Sequence, residues 1–272
     1  AFASSHYFAN TLDDLQFTFN SASPGAASVF RIVLPNWAKP DFRGLELDPG
    51  ASLQPYLPLA RKKYVVMGDS ISHGTGQGSS YQTYPWIVSE LLEVELFNLA
   101  VGGSQVSVPA AQMLSEFPAV DVISILIGYN DLHAGGKTAA QYEADLNAML
   151  NTVRANQPAA ELFCISPLFT TNPTHTVTGE NIQDFRQAVY DAVAGRQVAG
   201  DDRIHLIRGE DISSASDLSD VVHLSEAGAA HFATNLFLQM DPIVNPPKPN
   251  ILFISIDDIN PIMGCYGNDL IQ

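Results

Sequence analysis

Apolar positions along this chain follow two different rhythms, and the change between them marks out its central part. Five short apolar runs, Lys63–Met67, Val94–Leu99, Asp121–Ile127, Ala160–Ser166 and Ile204–Ile207, are each bounded by turn-forming residues. Runs of that length and flank read as buried strands. Between them Tyr84–Leu92, Ala110–Phe117, Ala139–Asn156 and Glu180–Val198 carry a helical repeat. In the third, Tyr142, Leu146, Met149, Leu150 and Val153 fall on one face, as a helix covering a sheet requires. A last helix is predicted over Glu226–Met240, with Ser225 as its N-cap and a stripe of Ala229, Phe232, Ala233, Leu236, Phe237 and Met240. Alternating strand and helix predicts an α/β fold: a five-stranded parallel sheet with helices on both faces, and reactive groups at the strands' C-terminal ends.

The flanks have a different texture. Residues 1–57 hold three β-prone runs, Leu15–Phe19, Val29–Leu34 and Phe42–Leu47, separated by Ser, Pro, Gly and Asn. They predict a small β-rich module, joined through the prolines at Gln54–Pro58 to a central domain over residues 58–241. Residues 242–272 open with a linker, Pro246–Pro249, before a further apolar run, Asn250–Ile256, that ends at Asp257 and Asp258.

Composition narrows the choice of partner. With 46% hydrophobic residues in 272, the chain has enough apolar material for a sizeable core. A formal charge of −16 argues against nucleic acid and anionic membranes, whose phosphates need a basic surface. No apolar run approaches the roughly 18 residues of a membrane span. The N-terminus lacks a basic-then-apolar signal sequence, and the start at Ala1 without methionine fits a removed leader. That tilts the reading slightly toward a secreted or periplasmic setting and leaves the compartment open. Cys164, in an apolar run, reads as a buried thiol; with Cys265 it makes neither a disulfide framework nor a zinc cluster.

Candidate chemistry gathers at predicted strand ends. The first strand stops at Gly68-Asp69-Ser70, which offers Ser70 as a nucleophile, although the same tripeptide occurs in ordinary turns. After the second strand comes Gly102-Gly103, where glycine can turn a free N–H toward a ligand or simply make a strand-to-helix turn. After the third comes Gly128-Tyr129-Asn130-Asp131; the Asn130 amide can donate to developing negative charge or cap a turn. Before the last helix stands Asp220-Val-Val-His223, a spacing that lets a carboxylate hold an imidazole in one tautomer. Trp86, Tyr129, His133 and Phe169 adjoin these loops and can line an acyl or sugar pocket, or simply pack.

In that order the four stretches resemble the blocks of the SGNH, or GDSL-type, serine hydrolases. Gly68-Asp69-Ser70, Gly103, Gly128-x-Asn130-Asp131 and Asp220-x-x-His223 match them over about residues 59–241. Ile71 replaces the leucine of the GDSL name, and Leu224 stands where many members have proline. The resemblance implies a flavodoxin-like three-layer fold and an esterase with a Ser70, Asp220 and His223 triad. It also implies an oxyanion hole of Ser70 N–H, Gly103 N–H and the Asn130 amide. No metal or organic cofactor is implied, and the expected partner is a small acyl ester or an acetylated saccharide.

The segment Gly44–Pro55 is similar to the stretch that joins a jelly-roll domain to the catalytic domain in some carbohydrate esterases of this family, so the N-terminal module reads as a partial jelly roll. The C-terminal Lys248–Asp258 with Gly264–Gly267 resembles the opening of a type I sulfatase. The sulfatase nucleophile motif is missing, which makes sulfatase activity an unattractive reading. An acyltransferase built on the same residues and a non-catalytic carbohydrate-binding module are the remaining alternatives.

Overall fold

A computed structural model describes residues 30–38, 40–54 and 61–247, together with residues 16, 18 and 20. Five parallel strands form one sheet: β1 (Lys63–Gly68), β2 (Glu95–Asn98), β3 (Val122–Leu126), β4 (Glu161–Ile165) and β5 (Ile204–Ile207), in the order β2-β1-β3-β4-β5. In register, Val65 lies beside Phe97 and Ile123, Ile125 beside Cys164, and Cys164 beside Leu206. Strands β1 and β3 carry hardly a polar side chain because both of their faces are covered.

Alternation along each strand divides the core in two. Val65, Met67, Ile123, Ile125, Leu162 and Cys164 face α3 (Val108–Gln112), α5 (Ala139–Asn156) and α6 (Ile182–Val198). Tyr64, Val66, Val122, Leu126, Phe163 and Ile165 face α2 (Tyr84–Leu91) and α7 (Glu226–Val244). The single hydroxylic residue of β3, Ser124, lies on the second side and is hydrogen-bonded to the buried Tyr64 hydroxyl at 2.7 Å. A capping box of Thr138 and Gln141 fixes the start of α5, a device that contributes about 1 kcal/mol.

Chain order sets where a ligand can enter. Strand β2 lies on one side of β1 and β3 on the other, so the connections leaving their C-terminal ends diverge and open a crevice there. Two short helices start at that crevice, α1 (Ser70–His73) after β1 and α4 (Tyr129–His133) after β3.

Several expected boundaries move. The helix expected over Ala110–Phe117 begins at Val108, capped by Ser107 with Pro109 in its first turn, and finishes as a 3-10 turn over Met113–Glu116. Helix α7 continues past Met240 to Val244 with Pro242 in its last turns, and Lys62 Nζ donates to the Val244 carbonyl. In the expected β-rich module, residues 30–38 and 40–54 form no strand. Alternation stabilises a strand when one of its faces is buried. Phe42, Leu45 and Leu47 instead keep 58, 54 and 43% of their surface exposed. The run Leu15–Phe19 falls mostly, and the sulfatase-like stretch from Lys248 wholly, outside the described residues.

Candidate active site

The turn at the end of β1 determines how Ser70 is presented. Gly68 lets the chain reverse tightly into α1: a Cβ there would lie 2.3 Å from Ser72 Oγ and 2.8 Å from the Leu126 carbonyl oxygen. Asp69 then caps α1, its Oδ1 accepting the Ile71 N–H at 2.9 Å. Ser70 is the first residue of the helix and is only partly buried, with its own N–H among the donors that a helix leaves unpaired.

Ser70 Oγ lies 2.8 Å from His223 Nε2, although 153 residues separate them in sequence. On the far side of the imidazole, His223 Nδ1 lies 2.7 Å from Asp220 Oδ2. The other Asp220 oxygen accepts the backbone N–H of Val222 at 2.9 Å and of His223 at 2.8 Å. Burial works against the Asp220 charge, but those two N–H groups and the imidazole outweigh it and hold its carboxyl below the usual range. An ionised carboxylate accepts from Nδ1–H and leaves Nε2 as the ring's acceptor, facing the Ser70 hydroxyl.

The remaining donors come from the next two strand ends. Gly103 takes a φ of 81°, and a Cβ on it would meet nothing within 4 Å. Its N–H has no acceptor among the described residues. Asn130 Nδ2 donates to Asp69 Oδ2 at 3.3 Å and to the Ser104 carbonyl at 3.1 Å. One amide thereby ties the residue before Ser70 to the residue after Gly103, which places all three loops at one rim of the sheet.

Two carboxylates that the sequence reading gave no task support this rim. Burial pushes Asp69 up to about 7; the Ile71 N–H and the His223 charge pull it back, and Asp131 adds to the rise. Asp131, with no side-chain exposure, accepts the Val106 N–H on both oxygens at 3.2 Å and pairs with Lys137 Nζ at 2.8 Å. It therefore pins the loop after β2 to α4. The signal that could have found both is a carboxylate placed directly at a strand end, next to the motif residue.

Of the expected pocket residues, Tyr129 lines a cavity of about 10 Å3 with Asp69, Ile71, Pro167, Leu168 and Val222. That is room for about one water molecule. His133 packs on the Tyr129 ring at 4.5 Å and meets the Asn172 carbonyl through Nε2, while Phe169 follows Leu168 without lining the cavity. Trp86 sits elsewhere, beneath the Arg31 guanidinium at 4.5 Å.

Comparison with known proteins gives the family and the fold. A family model described as GDSL-like lipase/acylhydrolase matches residues 66–231. A search of curated proteins gives no match. Among solved structures, the fold is similar to the salicylyl-acyltransferase SsfX3 from a tetracycline biosynthetic pathway (TM-score 0.59, 19% identity, 70% of this chain and 56% of that one). It is similar to a family two carbohydrate esterase from Clostridium thermocellum in complex with cellohexaose (TM-score 0.59, 19% identity, 71% and 67%). It also resembles an aryl esterase from M. smegmatis in inhibitor-bound form (TM-score 0.55, 14% identity, 66% and 98%). The chain thus spans a little over half the length of the first of these.

Proposed function

Because the chain belongs to the GDSL-like lipase/acylhydrolase family, we propose that it is a carboxylic ester hydrolase whose Ser70, His223 and Asp220 carry the chemistry, on short acyl esters of carbohydrates. The observation that carries this reading is the unbroken line of contacts from Ser70 Oγ through both imidazole nitrogens to Asp220 Oδ2.

In this mechanism His223 Nε2 takes the Ser70 proton as Oγ bonds to the acyl carbon. The carbonyl oxygen becomes an oxyanion held by the N–H groups of Ser70 and Gly103 and by Asn130 Nδ2. When the oxyanion collapses, the ester C–O bond breaks and the departing alcohol takes the proton from Nε2. Water, deprotonated by the same nitrogen, then attacks the acyl carbon; the acyl–Oγ bond breaks, Ser70 takes back the proton from Nε2 and the acid leaves. Both Asn130 hydrogens are engaged without substrate, so the oxyanion takes the place of the Ser104 carbonyl while the bond to Asp69 holds the amide in position.

The acetyl-sized acyl group draws its support from the likeness to the carbohydrate esterase. The saccharide draws its support from the likeness to the Clostridium thermocellum esterase. A second reading, transfer of the same acyl group to an alcohol in place of water, draws on the likeness to the acyltransferase and predicts product partitioning with added alcohol.

Ser70→Ala and His223→Ala are each expected to lower kcat on p-nitrophenyl acetate by about 10³-fold to 10⁶-fold. Near-full hydrolysis by Ser70→Ala would refute the assignment. Rates on p-nitrophenyl esters should fall as the acyl chain lengthens from acetate to octanoate. Labelling of Ser70 by a fluorophosphonate separates an enzyme from a binding module.

A further inference from the structure

The segment ahead of β1 reaches the rim that carries Ser70. Its anchors are polar and specific: Arg31 makes two hydrogen bonds to Glu90, at 3.0 and 2.9 Å, and Ser80 Oγ donates to the Leu34 carbonyl at 2.7 Å. Asn36 Nδ2 donates to the His73 carbonyl at 2.5 Å, and the Asn36 carbonyl lies 2.7 Å from His73 Nε2. The next residue, Trp37, lays its ring on the His73 imidazole at 3.9 Å and 17°, and its indole N–H donates to the Gly74 carbonyl at 3.3 Å. His73 is the last residue of α1, the helix that begins at Ser70.

His73 also settles the neighbouring loop. Its Nδ1 accepts the Gly102 N–H at 3.1 Å, so Nε2 carries the proton given to Asn36. Gly102 has no side chain because the Trp37 ring occupies that space: a Cβ there would lie 2.8 Å from Trp37 Cη2. Trp37 is thus fixed between the end of the Ser70 helix and the residue before Gly103. It lies outside the cavity beside Asp69, which is lined by other residues.

With one ring face on His73 and an edge on Gly102, Trp37 still leaves 54% of its surface exposed. Arg31, Ser80 and Asn36 already fasten the segment by polar contacts, so the Trp37 ring is free to serve another purpose where it meets His73 and Gly102. An indole with one face held on His73, beside the ends of the loops that carry Ser70 and Gly103, is suited to the C–H face of a pyranose ring. The chain's charge of −16 favours a neutral ring over an anionic one.

We propose that Trp37 is the sugar platform of this site, stacking on the neutral pyranose whose acyl ester Ser70 attacks; this rests on the esterase reading above. The segment before β1 then supplies part of the specificity, and the sheet domain supplies the chemistry.

The test uses the full chain with p-nitrophenyl acetate and an O-acetylated xylo-oligosaccharide. Trp37→Ala should raise KM for the saccharide roughly tenfold and leave kcat/KM for p-nitrophenyl acetate within about twofold, while Trp37→Phe retains most of the saccharide affinity. Equal losses on both substrates, or an unchanged saccharide KM, overturn the platform and leave the Ser70 assignment standing. A wild-type enzyme that hydrolyses p-nitrophenyl acetate through Ser70 but no acetylated saccharide overturns the carbohydrate reading and the platform with it. A binding measurement avoids dependence on the alanine variant's folding. The chain has two tryptophans, so Trp86→Phe in a Ser70→Ala background leaves the Trp37 indole as the sole reporter. Its emission should shift on titration with the same oligosaccharide, and no shift at saturating concentration overturns the proposal.

Discussion

Two aspartates flank Ser70, one on each side of the rim, and their surroundings drive them in opposite directions. Asp69 is 1% exposed and is pushed up to about 7 by burial. The Asp220 side chain is 49% exposed, and its carboxyl is held low by two backbone N–H groups and the imidazole. The difference lies in donors per oxygen rather than in depth alone. Asp220 Oδ1 has two short N–H contacts and Oδ2 has the ring, whereas Asp69 Oδ2 has a single amide at 3.3 Å. A carboxylate that must stay charged opposite a transient imidazolium gains more from fixed donors than from seclusion. The exposed residue therefore fits the charge-bearing role, and the secluded one fits the role of a clamp.

The sharpest way to break this contrast is Asp220→Asn. Asparagine keeps an acceptor for the N–H groups of Val222 and His223 but turns an NH2 toward Nδ1. That partner favours the tautomer protonated at Nε2, which cannot take the Ser70 proton. A fall in kcat of about 10³-fold to 10⁴-fold is expected. Asp220→Ala should cost less, about 10-fold to 10²-fold, because water reaches so exposed a position and the ring can still adopt the productive tautomer. Steady-state kinetics on p-nitrophenyl acetate decides it, and an alanine variant worse than the asparagine variant would show that the carboxylate does not act through the tautomer.

How much of this was readable beforehand follows from how local each signal is. The run Ile204–Ile207 and the helix Ala139–Asn156 stand in the structure with the bounds their periodicity predicted, and the structure adds a Thr138–Gln141 capping box that the periodicity alone did not show. Asp220 and His223 could be paired from sequence because three residues in a turn bring them to the same side. Ser70 could be joined to them only through the order of motifs, since nothing periodic spans 153 residues. The Asp69 clamp on Asn130 and the stacking of Trp37 on His73 left no pattern, for each joins loops whose spacing is set by the sheet order. The β-prone runs ahead of β1 show the opposite case: Phe42, Leu45 and Leu47 have β-prone neighbours, but among the described residues no buried face is there to use them.

Asn130→Ala tests the clamp from its other end. It removes one of the proposed oxyanion donors and leaves Asp69 Oδ2 without its amide, while Ser70, His223 and Asp220 are untouched. The expected loss in kcat is about 10²-fold to 10³-fold with little change in KM, because the donor matters most once negative charge has developed. A rise in KM with kcat preserved would place Asn130 in ground-state binding instead.

The smallest effect reads the clamp as a stability rather than a rate. The Asp69 carboxyl is raised in the folded chain, so the fold binds its proton more tightly than the unfolded chain does. Between the usual carboxylate value and about 7, stability from this group therefore falls as pH rises, and above that it is level. Asp69→Asn keeps the acceptor for the Ile71 N–H and the α1 cap but cannot ionise. Urea unfolding should show the variant gaining on the wild type by about 1–3 kcal/mol between about pH 5 and pH 8. Asp220→Asn should show no such gain over that window, because its carboxyl is lowered and its contribution is lost only as pH falls below the usual carboxylate range. If the gap between wild type and Asp69→Asn stayed constant across the series, Asp69 would be charged throughout, and the contrast between the two aspartates would reduce to one of position.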